Sequence, residues 1–235
     1  MNHRSQLELT APRSSIMKAQ IGQKTPLLSV STWVQGAQVN FDRLSGQVVL
    51  VEVFQVNCPG CFLHALPQAL DLYDKYSEHG LSVLGIATAF EDFDKNNLEN
   101  LTRLAEHGEV VGETLRVLSQ QGKLSAGRLP YRIPFPLAMD RLNNRQAEST
   151  DNDIANFIKT RIPTFEQQPK ADQQKIRQQV EHYFQSLDYH AETFERFDLK
   201  GTPSHILVDK QGILRACAFG FYPELEAQIL GLLQE

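Results

Sequence analysis

The sequence predicts an α/β fold built on a central mixed β-sheet. An apolar strand at Val48–Phe54, a helical pattern at 61–76 and a second strand at 81–89 follow one another directly. Such strand–helix–strand units form parallel strand pairs with a right-handed crossover. Near the C-terminus, residues 205–208 and 213–219 flank a polar turn that ends in glycine, which is typical of an antiparallel hairpin. Parallel and antiparallel pairs together predict a mixed sheet.

The other elements follow from local pattern. Val48–Phe54 is almost wholly apolar and β-branched, which favours burial on both faces. The helical pattern at 61–76 has Leu63, Leu66 and Leu70 on one stripe. The remaining predicted elements are short strands or a hairpin at 27–34 and 38–44, helices at 96–107 and 111–121, a short strand at 133–139 and a C-terminal helix at 223–233. Pro134 and Pro136 indicate that the strand at 133–139 is at an edge or has an irregular start.

The stretch 141–194 differs from the rest of the chain. It is polar and lacks the alternation of strands, but Ile176, Val180, Phe184 and Leu187 recur at helical spacing and predict an amphipathic helix. We therefore divide the chain into three parts. These are a flexible N-terminal tail at 1–18, one domain formed by 19–140 and 195–235, and a helical insertion at 141–194.

Composition narrows the range of partners. Hydrophobic residues make up 41% of the 235 residues, which is enough for a packed core. A net charge of -5 disfavours a nucleic-acid partner, and no apolar run is long enough for membrane insertion. The N-terminus does not resemble a secretory signal, so we expect a cytoplasmic protein. Nothing in the sequence calls for a cofactor.

The motif Cys58-Pro59-Gly60-Cys61 carries the strongest chemical signal. It lies directly after the buried strand and opens the predicted helix at 61–76. The unpaired N–H groups and the dipole at a helix N-terminus stabilise a thiolate, so Cys58 is the candidate nucleophile. The spacing lets a disulfide close across the first turn, so Cys61 can resolve a mixed disulfide formed by Cys58.

A zinc half-site is the structural alternative for this cysteine pair. Tetrahedral zinc needs two further ligands, and the sequence contains no second pair of this kind. Cys217 and His64 could complete such a site, but the strand-to-helix context favours redox use and no metal. Cys217 itself is expected to be a small residue of the core.

Glu52 is the only charged residue in its strand. Burying an ionised carboxylate costs several kcal/mol, so either its pKa rises or it reaches water at the end of the sheet. If it lies beneath the start of the helix, it could accept the proton of Cys61 through a water molecule. The alternative is an exposed glutamate at an edge. The sequence leaves the role of His205 open.

Further motifs lie on both sides of the cysteine pair along the chain. They are Ile21-Gly22, Pro26, Gly46, the strand Val48–Phe54 and, after the Cys58–Cys61 motif, Pro134 to Leu137, Asp140, Gly201-Thr202-Pro203, Asp209 and Gly212. In these positions and in their order, 21–140 and 195–235 resemble the thioredoxin superfamily, in particular its TlpA-like and redoxin (AhpC/TSA-like) branches.

The resemblance implies a thioredoxin-like fold and a site for thiol–disulfide exchange. Cys58 would be the nucleophile and Cys61 the resolving cysteine, with Glu52 at the buried-carboxylate position. It also implies a cis peptide bond at Pro203 beside the pair, so Pro59, Gly60, Thr202 and Pro203 are the expected substrate-binding residues. The partner would be a protein or a small-molecule thiol or disulfide.

Three features depart from the family pattern. Asn57 replaces the aromatic residue usually found before the first cysteine, which alters the surface that meets a partner. Pro67 lies one position later than in TlpA-like proteins. The insertion at 141–194 is not part of a minimal thioredoxin and could form a lid or a docking surface.

Two other functions compete with thiol–disulfide exchange. The segment from Pro59 to Pro67, with Cys61 and His64, resembles the active site of one peroxiredoxin branch, in which Cys61 would attack peroxide. Peroxiredoxins need a threonine three positions before that cysteine, and the corresponding residues are Gln55 before Cys58 and Cys58 before Cys61. The other alternative is a redox-inactive module that binds a partner through the insertion.

Overall fold

The computed structural model describes residues 18–144, 151–186 and 189–235. The predicted tail at 1–18 therefore lies almost wholly outside the described residues. The helices and strands in chain order are β1 (Val30–Gln35), β2 (Val48–Phe54), α1 (Leu66–Tyr76), β3 (Leu81–Ala87), α2 (Leu98–His107), α3 (Gly112–Gln120), β4 (Leu137–Asp140), β5 (Leu142–Asn144), α4 (Asp151–Arg161), α5 (Lys170–Ser186), β6 (Tyr189–Ala191), α6 (Glu192–Arg196), β7 (Ser204–Val208), β8 (Leu214–Phe219) and α7 (Leu225–Gln234).

A six-stranded sheet organises the protein, in the order β1-β4-β3-β2-β7-β8. β3 runs parallel to both β2 and β4, whereas the pairs β1–β4, β2–β7 and β7–β8 are antiparallel. The prediction of an α/β fold with a central mixed sheet is confirmed. β2 lies inside the sheet between β3 and β7, and all seven of its residues are buried.

The sheet separates two hydrophobic cores, and β2 contributes to both because successive side chains point to opposite faces. Leu50 and Phe54 enter a first core together with residues of α1, α3 and α7. Val49, Val51 and Val53 enter a second core, which is closed by apolar residues from the segment 28–44 and from 197–199. Each apolar side chain of β2 thus belongs to one core or the other.

Two predicted strands differ from the structure. The segment 38–44 is not a strand and forms no hairpin around Gly36; it contains a 3₁₀ turn at Phe41–Arg43, and β1 pairs with β4 instead. The reason lies in Asn40. Its side-chain amide accepts a hydrogen bond from the N–H of Leu28 and donates one to the carbonyl of Leu28, so a side chain takes the place of a partner strand. The strand predicted at 133–139 begins only at Leu137, after two prolines that have no N–H for a ladder, so the irregular start is confirmed. The edge position is wrong, because β4 lies between β1 and β3.

The segment 141–194 contains α4, α5, the first residues of α6 and two short strands, β5 and β6, which pair with each other. The strands were not predicted. α4 and α5 pack through a small core of Ile154, Ile158 and Val180. Leu187 of the predicted amphipathic helix and residues 145–150 lie outside the described residues. α5 is the longest described helix at 17 residues, and no helix in the described part is both long and apolar enough to cross a bilayer.

Candidate active site

The cysteine motif lies where β2 ends and a helix begins. Pro59 and Gly60 already have helical geometry, Cys61–Ala65 forms one π-helical segment, and α1 continues from there. In this segment the N–H of Leu66 donates to the carbonyl of Cys61, one residue further back than in an α-helix. Pro67 has no N–H to donate, so a regular α-helix would lack one backbone hydrogen bond at this position. The wider π-helical turn lies at this position.

Cys58 and Cys61 lie close together as free thiols and differ in exposure. The Cys61 side chain is fully buried in the first core, whereas Cys58 is half-buried. The backbone N–H of Cys61 donates to Cys58 Sγ at 3.3 Å, and the Cys58 thiol donates to the carbonyl of Thr202 at 3.6 Å. The sulfur of Cys58 therefore lies at the start of the helix, where it accepts a hydrogen bond from a backbone N–H.

The pKa values of the two thiols are shifted in opposite directions. A hydrogen bond from the Cys61 thiol lowers the pKa of Cys58 to about 7, against the effect of burial and with smaller contributions from Thr202 and the N–H groups of Cys61 and Gly60. Burial raises the pKa of Cys61 well above its ordinary value, and the hydrogen bond and charge of Cys58 raise it further. At neutral pH the half-buried sulfur of Cys58 is partly thiolate, and the buried sulfur of Cys61 is a thiol.

The loop before β7 closes the site on the side of Cys58. The Thr202–Pro203 peptide bond is cis, Thr202 is half-buried and Pro203 is buried. A side chain at Gly60 would begin 3.9 Å from Pro203, so the two loops approach each other. The Thr202 hydroxyl donates to the amide oxygen of Gln55 at 3.0 Å. The four residues expected to bind substrate are thus grouped around Cys58.

Glu52 is fully buried and paired with His205, so the alternative of an exposed glutamate at an edge is wrong. The two residues lie opposite each other in the β2–β7 register, with His205 Nδ1 2.7 Å from Glu52 Oε2. Burial raises the pKa of Glu52 even though His205 opposes this shift. Burial favours the neutral ring of His205, but the hydrogen bond and charge of Glu52 give it a raised pKa. The sequence did not reveal this pairing, because it depends on strand register.

Asn57 fixes the loop that precedes the cysteine motif, a role that sequence reasoning also missed. Its Oδ1 accepts the N–H of Glu113 at the start of α3 at 2.7 Å, and its Nδ2 donates to Asp92 at 2.9 Å. Its own N–H donates to the side chain of Asn96. The residue at the position of the usual aromatic therefore connects the site to the loop that contains Asp92 and Asn96 and to the start of α3. The signal in the sequence was that Asn57 replaces the aromatic residue usual at this position.

The residues that could have completed a zinc site lie elsewhere. Cys217 is on β8 and packs against the second core, where burial raises its pKa to about 11. His64 is exposed, with its ring 6.4 Å from that of Phe221. Within the three described ranges, no group of three or more His, Cys, Asp or Glu side chains is placed to hold a metal ion.

Comparison with known proteins then decides the fold. No protein-family model and no curated protein matches the sequence. Among solved structures, a thioredoxin-like superfamily protein is 24% identical over 90% of this chain and 97% of its own, with a TM-score of 0.55. A thiol-disulfide isomerase from Corynebacterium glutamicum is 25% identical over 89% and 97% of the two chains, with a TM-score of 0.53.

The chain has a thioredoxin-like fold. The resemblance drawn from the cysteine motif, the Thr202-Pro203 segment and the order of elements is confirmed at the level of fold. In this thioredoxin-like framework β2 carries Glu52 and leads directly into Cys58, while β7 carries His205 next to the loop that faces the cysteines. All of the predicted site residues are therefore placed by two adjacent strands and the segments that adjoin them.

Proposed function

We propose that the protein is a thiol–disulfide oxidoreductase in which Cys58 is the nucleophile and Cys61 is the resolving cysteine. The observation that supports this most is the division of acidity within one pair, an accessible sulfur with a pKa of about 7 beside a buried one with a raised pKa. The first sulfur can attack at neutral pH, and the second stays protonated until the mixed disulfide has formed. The Corynebacterium glutamicum neighbour is a thiol-disulfide isomerase, which agrees with this chemistry.

The reaction has two steps. The Cys58 thiolate attacks a disulfide of the partner, which forms a mixed disulfide and releases one partner thiolate. Cys61 then loses its proton and attacks Cys58 Sγ, so that the bond between Cys58 and the partner breaks and the second partner thiolate leaves. The cysteine pair ends as a disulfide, and two electrons have passed to the partner. In reverse, the same steps oxidise a partner dithiol, and relative reduction potentials set the direction.

Glu52 is the proposed acceptor of the Cys61 proton. It points into the first core, the same core that holds Cys61, and its charge contributes to the raised pKa of that thiol. The partner would contact Pro59, Gly60, Thr202 and Pro203, which surround Cys58. Its disulfide would come from a protein or a small molecule.

The two competing functions have less support. A peroxidase would use Cys61 to attack peroxide, but this side chain is fully buried and its pKa is raised, so little of the reactive thiolate is present at neutral pH. A redox-inactive binding module would not need a low pKa at Cys58. Peroxide consumption that depends on Cys61, or a function unchanged in Cys58→Ser, would favour one of these instead.

Covalent trapping tests the proposed function. In Cys61→Ser the mixed disulfide cannot be resolved, so the partner should stay attached to Cys58 and be released by dithiothreitol, as seen by non-reducing electrophoresis and mass spectrometry. Cys58→Ser and the double variant are the matched controls and should trap nothing. Insulin reduction with dithiothreitol as electron donor should require both cysteines. Absence of any adduct on Cys58, together with full reductase activity in Cys58→Ser, would contradict the proposal.

A further inference from the structure

His205 faces Glu52 within the first core. The two residues are direct partners in the antiparallel register of β2 and β7, and direct partners in such a pair project to the same face of a sheet. Leu50 and Phe54 flank Glu52 on that face, and Leu207 follows His205 on it; all three belong to the core that contains Cys61. The imidazole and the carboxylate therefore lie on the side of the sheet that carries the buried cysteine.

The hydrogen bonds of His205 determine where its hydrogens lie. Nε2 is 2.9 Å from the carbonyl oxygen of Gly220, which can only accept, so Nε2 must carry a hydrogen. Nδ1 is 2.7 Å from Glu52 Oε2, and this contact needs one further hydrogen, on either the nitrogen or the oxygen. The pair is then an imidazolium beside a carboxylate, or a neutral ring beside a carboxylic acid. Both forms have zero net charge and the same number of protons.

The second oxygen of Glu52 has no such partner. Oε1 is buried and without a hydrogen-bond partner among the described residues. Leaving a buried carboxylate oxygen without a hydrogen bond costs free energy, and a role in a reaction is one reason for a protein to retain such a group. Titratable groups near the pair include Cys61, in the π-helical segment, on which the charge of Glu52 acts, and Tyr222, whose ring is 6.2 Å from that of His205. Of these, Cys61 is the group whose proton must leave during the second step.

We propose that His205 shares one proton with Glu52 and thereby keeps the carboxylate able to accept the proton of Cys61, an inference that rests on the proposed function. When the shared proton lies on Nδ1, Glu52 is a carboxylate and Oε1 can take the proton of the Cys61 thiol. The products are a carboxylic acid, an imidazolium and a Cys61 thiolate, so no net charge is created in the core. His205 is thus a positioning residue that acts through Glu52.

Two-phase release of thionitrobenzoate separates the steps. The reduced protein, in a Cys217→Ala background, reacts with 5,5′-dithiobis(2-nitrobenzoate) in a stopped-flow instrument. Attack by Cys58 releases the first equivalent, and attack by Cys61 on the resulting mixed disulfide releases the second. Cys61→Ser should lack the second phase. The rate of each phase is measured against pH in the parent, His205→Gln, Glu52→Gln and the double variant.

Glutamine can hydrogen-bond to Glu52 but cannot take its proton, so Glu52 stays protonated to higher pH. His205→Gln should slow the second phase at neutral pH by about tenfold or more and move its pH midpoint upward, with the first phase changed by less than about twofold. In the Glu52→Gln background, His205→Gln should have little further effect on the second phase, because the two residues act as one unit.

Several results would overturn the inference. These are an unchanged pH profile of the second phase, equal slowing of both phases as expected for a purely structural role, or additive effects in the double variant. If His205→Gln does not fold, ¹⁵N NMR of the histidine in the wild-type protein decides instead. A ring with no hydrogen on Nε2 would exclude the shared proton, whereas a persistent Nε2–H with a hydrogen-bonded Nδ1 supports it. Absence of the first phase would instead contradict the proposed function, because that phase reports attack by Cys58. Failure of the inference and failure of the proposed function can therefore be distinguished.

Discussion

Replacing Cys61 with alanine should raise the pKa of Cys58. The pKa of Cys58 falls from an ordinary 9.0 to about 7, and the largest cause is the hydrogen bond from the Cys61 thiol. Two pH units correspond to about 2.7 kcal/mol of preference for the thiolate. The N–H groups of Gly60 and residue 61 and the contact with Thr202 remain in the variant. We therefore expect about half of the shift to be lost, a rise of roughly one pH unit or about 1.4 kcal/mol.

Serine at position 61 is the matched control, because its hydroxyl can still donate to Cys58 Sγ. The assay is the pH dependence of Cys58 alkylation by iodoacetamide, followed by mass spectrometry in a Cys217→Ala background. The pH midpoint of alkylation should be about 7 in the parent and in Cys61→Ser, and about 8 in Cys61→Ala. Identical midpoints for the alanine and serine variants would refute the role of the thiol hydrogen bond. A parent midpoint at the value of free cysteine would refute the reasoning about the whole site.

Three further predictions concern stability, measured by urea unfolding. Burial raises the pKa of Asp140 from 3.8 to about 6. The folded state therefore holds this proton more tightly than the unfolded state, and the stability that protonated Asp140 contributes below pH 3.8 is lost as the pH rises through 6. The stability of wild type relative to Asp140→Asn should fall by roughly 2 to 3 kcal/mol between pH 4 and pH 7, and a constant difference would contradict this. Gly112 has a φ of +53°, and a side chain there would begin 2.3 Å from Asn57 Oδ1. Gly112→Ala should cost about 2 kcal/mol, but only about 1 kcal/mol in an Asn57→Ala background; equal costs would exclude the steric contact. Asp209 is buried and its Oδ1 accepts two backbone N–H groups of its turn. Asp209→Ala should cost about 2 kcal/mol and Asp209→Asn about half of that, and an asparagine variant no better than alanine would argue against these hydrogen bonds.

Features encoded by neighbouring residues were predictable. The apolar run of β2, the helical stripe of α1 and the glycine turn between β7 and β8 each follow from a few adjacent positions, and the structure contains all three elements. The placement of Cys58 at a helix start follows from the same local pattern. Resemblance to a family added the long-range order of the elements, which pattern alone does not provide.

Features that depend on distant pairing were not predictable. Glu52 and His205 are 153 positions apart, and only the register of β2 against β7 brings them together. The sequence could therefore state that a buried Glu52 needs compensation, but not which residue supplies it. The failed hairpin at 38–44 has a similar origin, because the amide of Asn40 bonds to the backbone of Leu28, twelve positions away. Side-chain hydrogen bonds of this kind leave no periodic signal.

The alternation of β2 between the two cores makes the chain sensitive to insertions and deletions in this strand. Removing one residue of β2 before Glu52 would turn the carboxylate to the opposite side of the sheet, where the second core lies. The cysteine motif would keep its sequence and its helix, but Cys61 would face apolar side chains instead of a carboxylate. Point substitutions in β2 can be tolerated when volume is conserved, whereas a change in its length would separate the acid from the thiol without touching either.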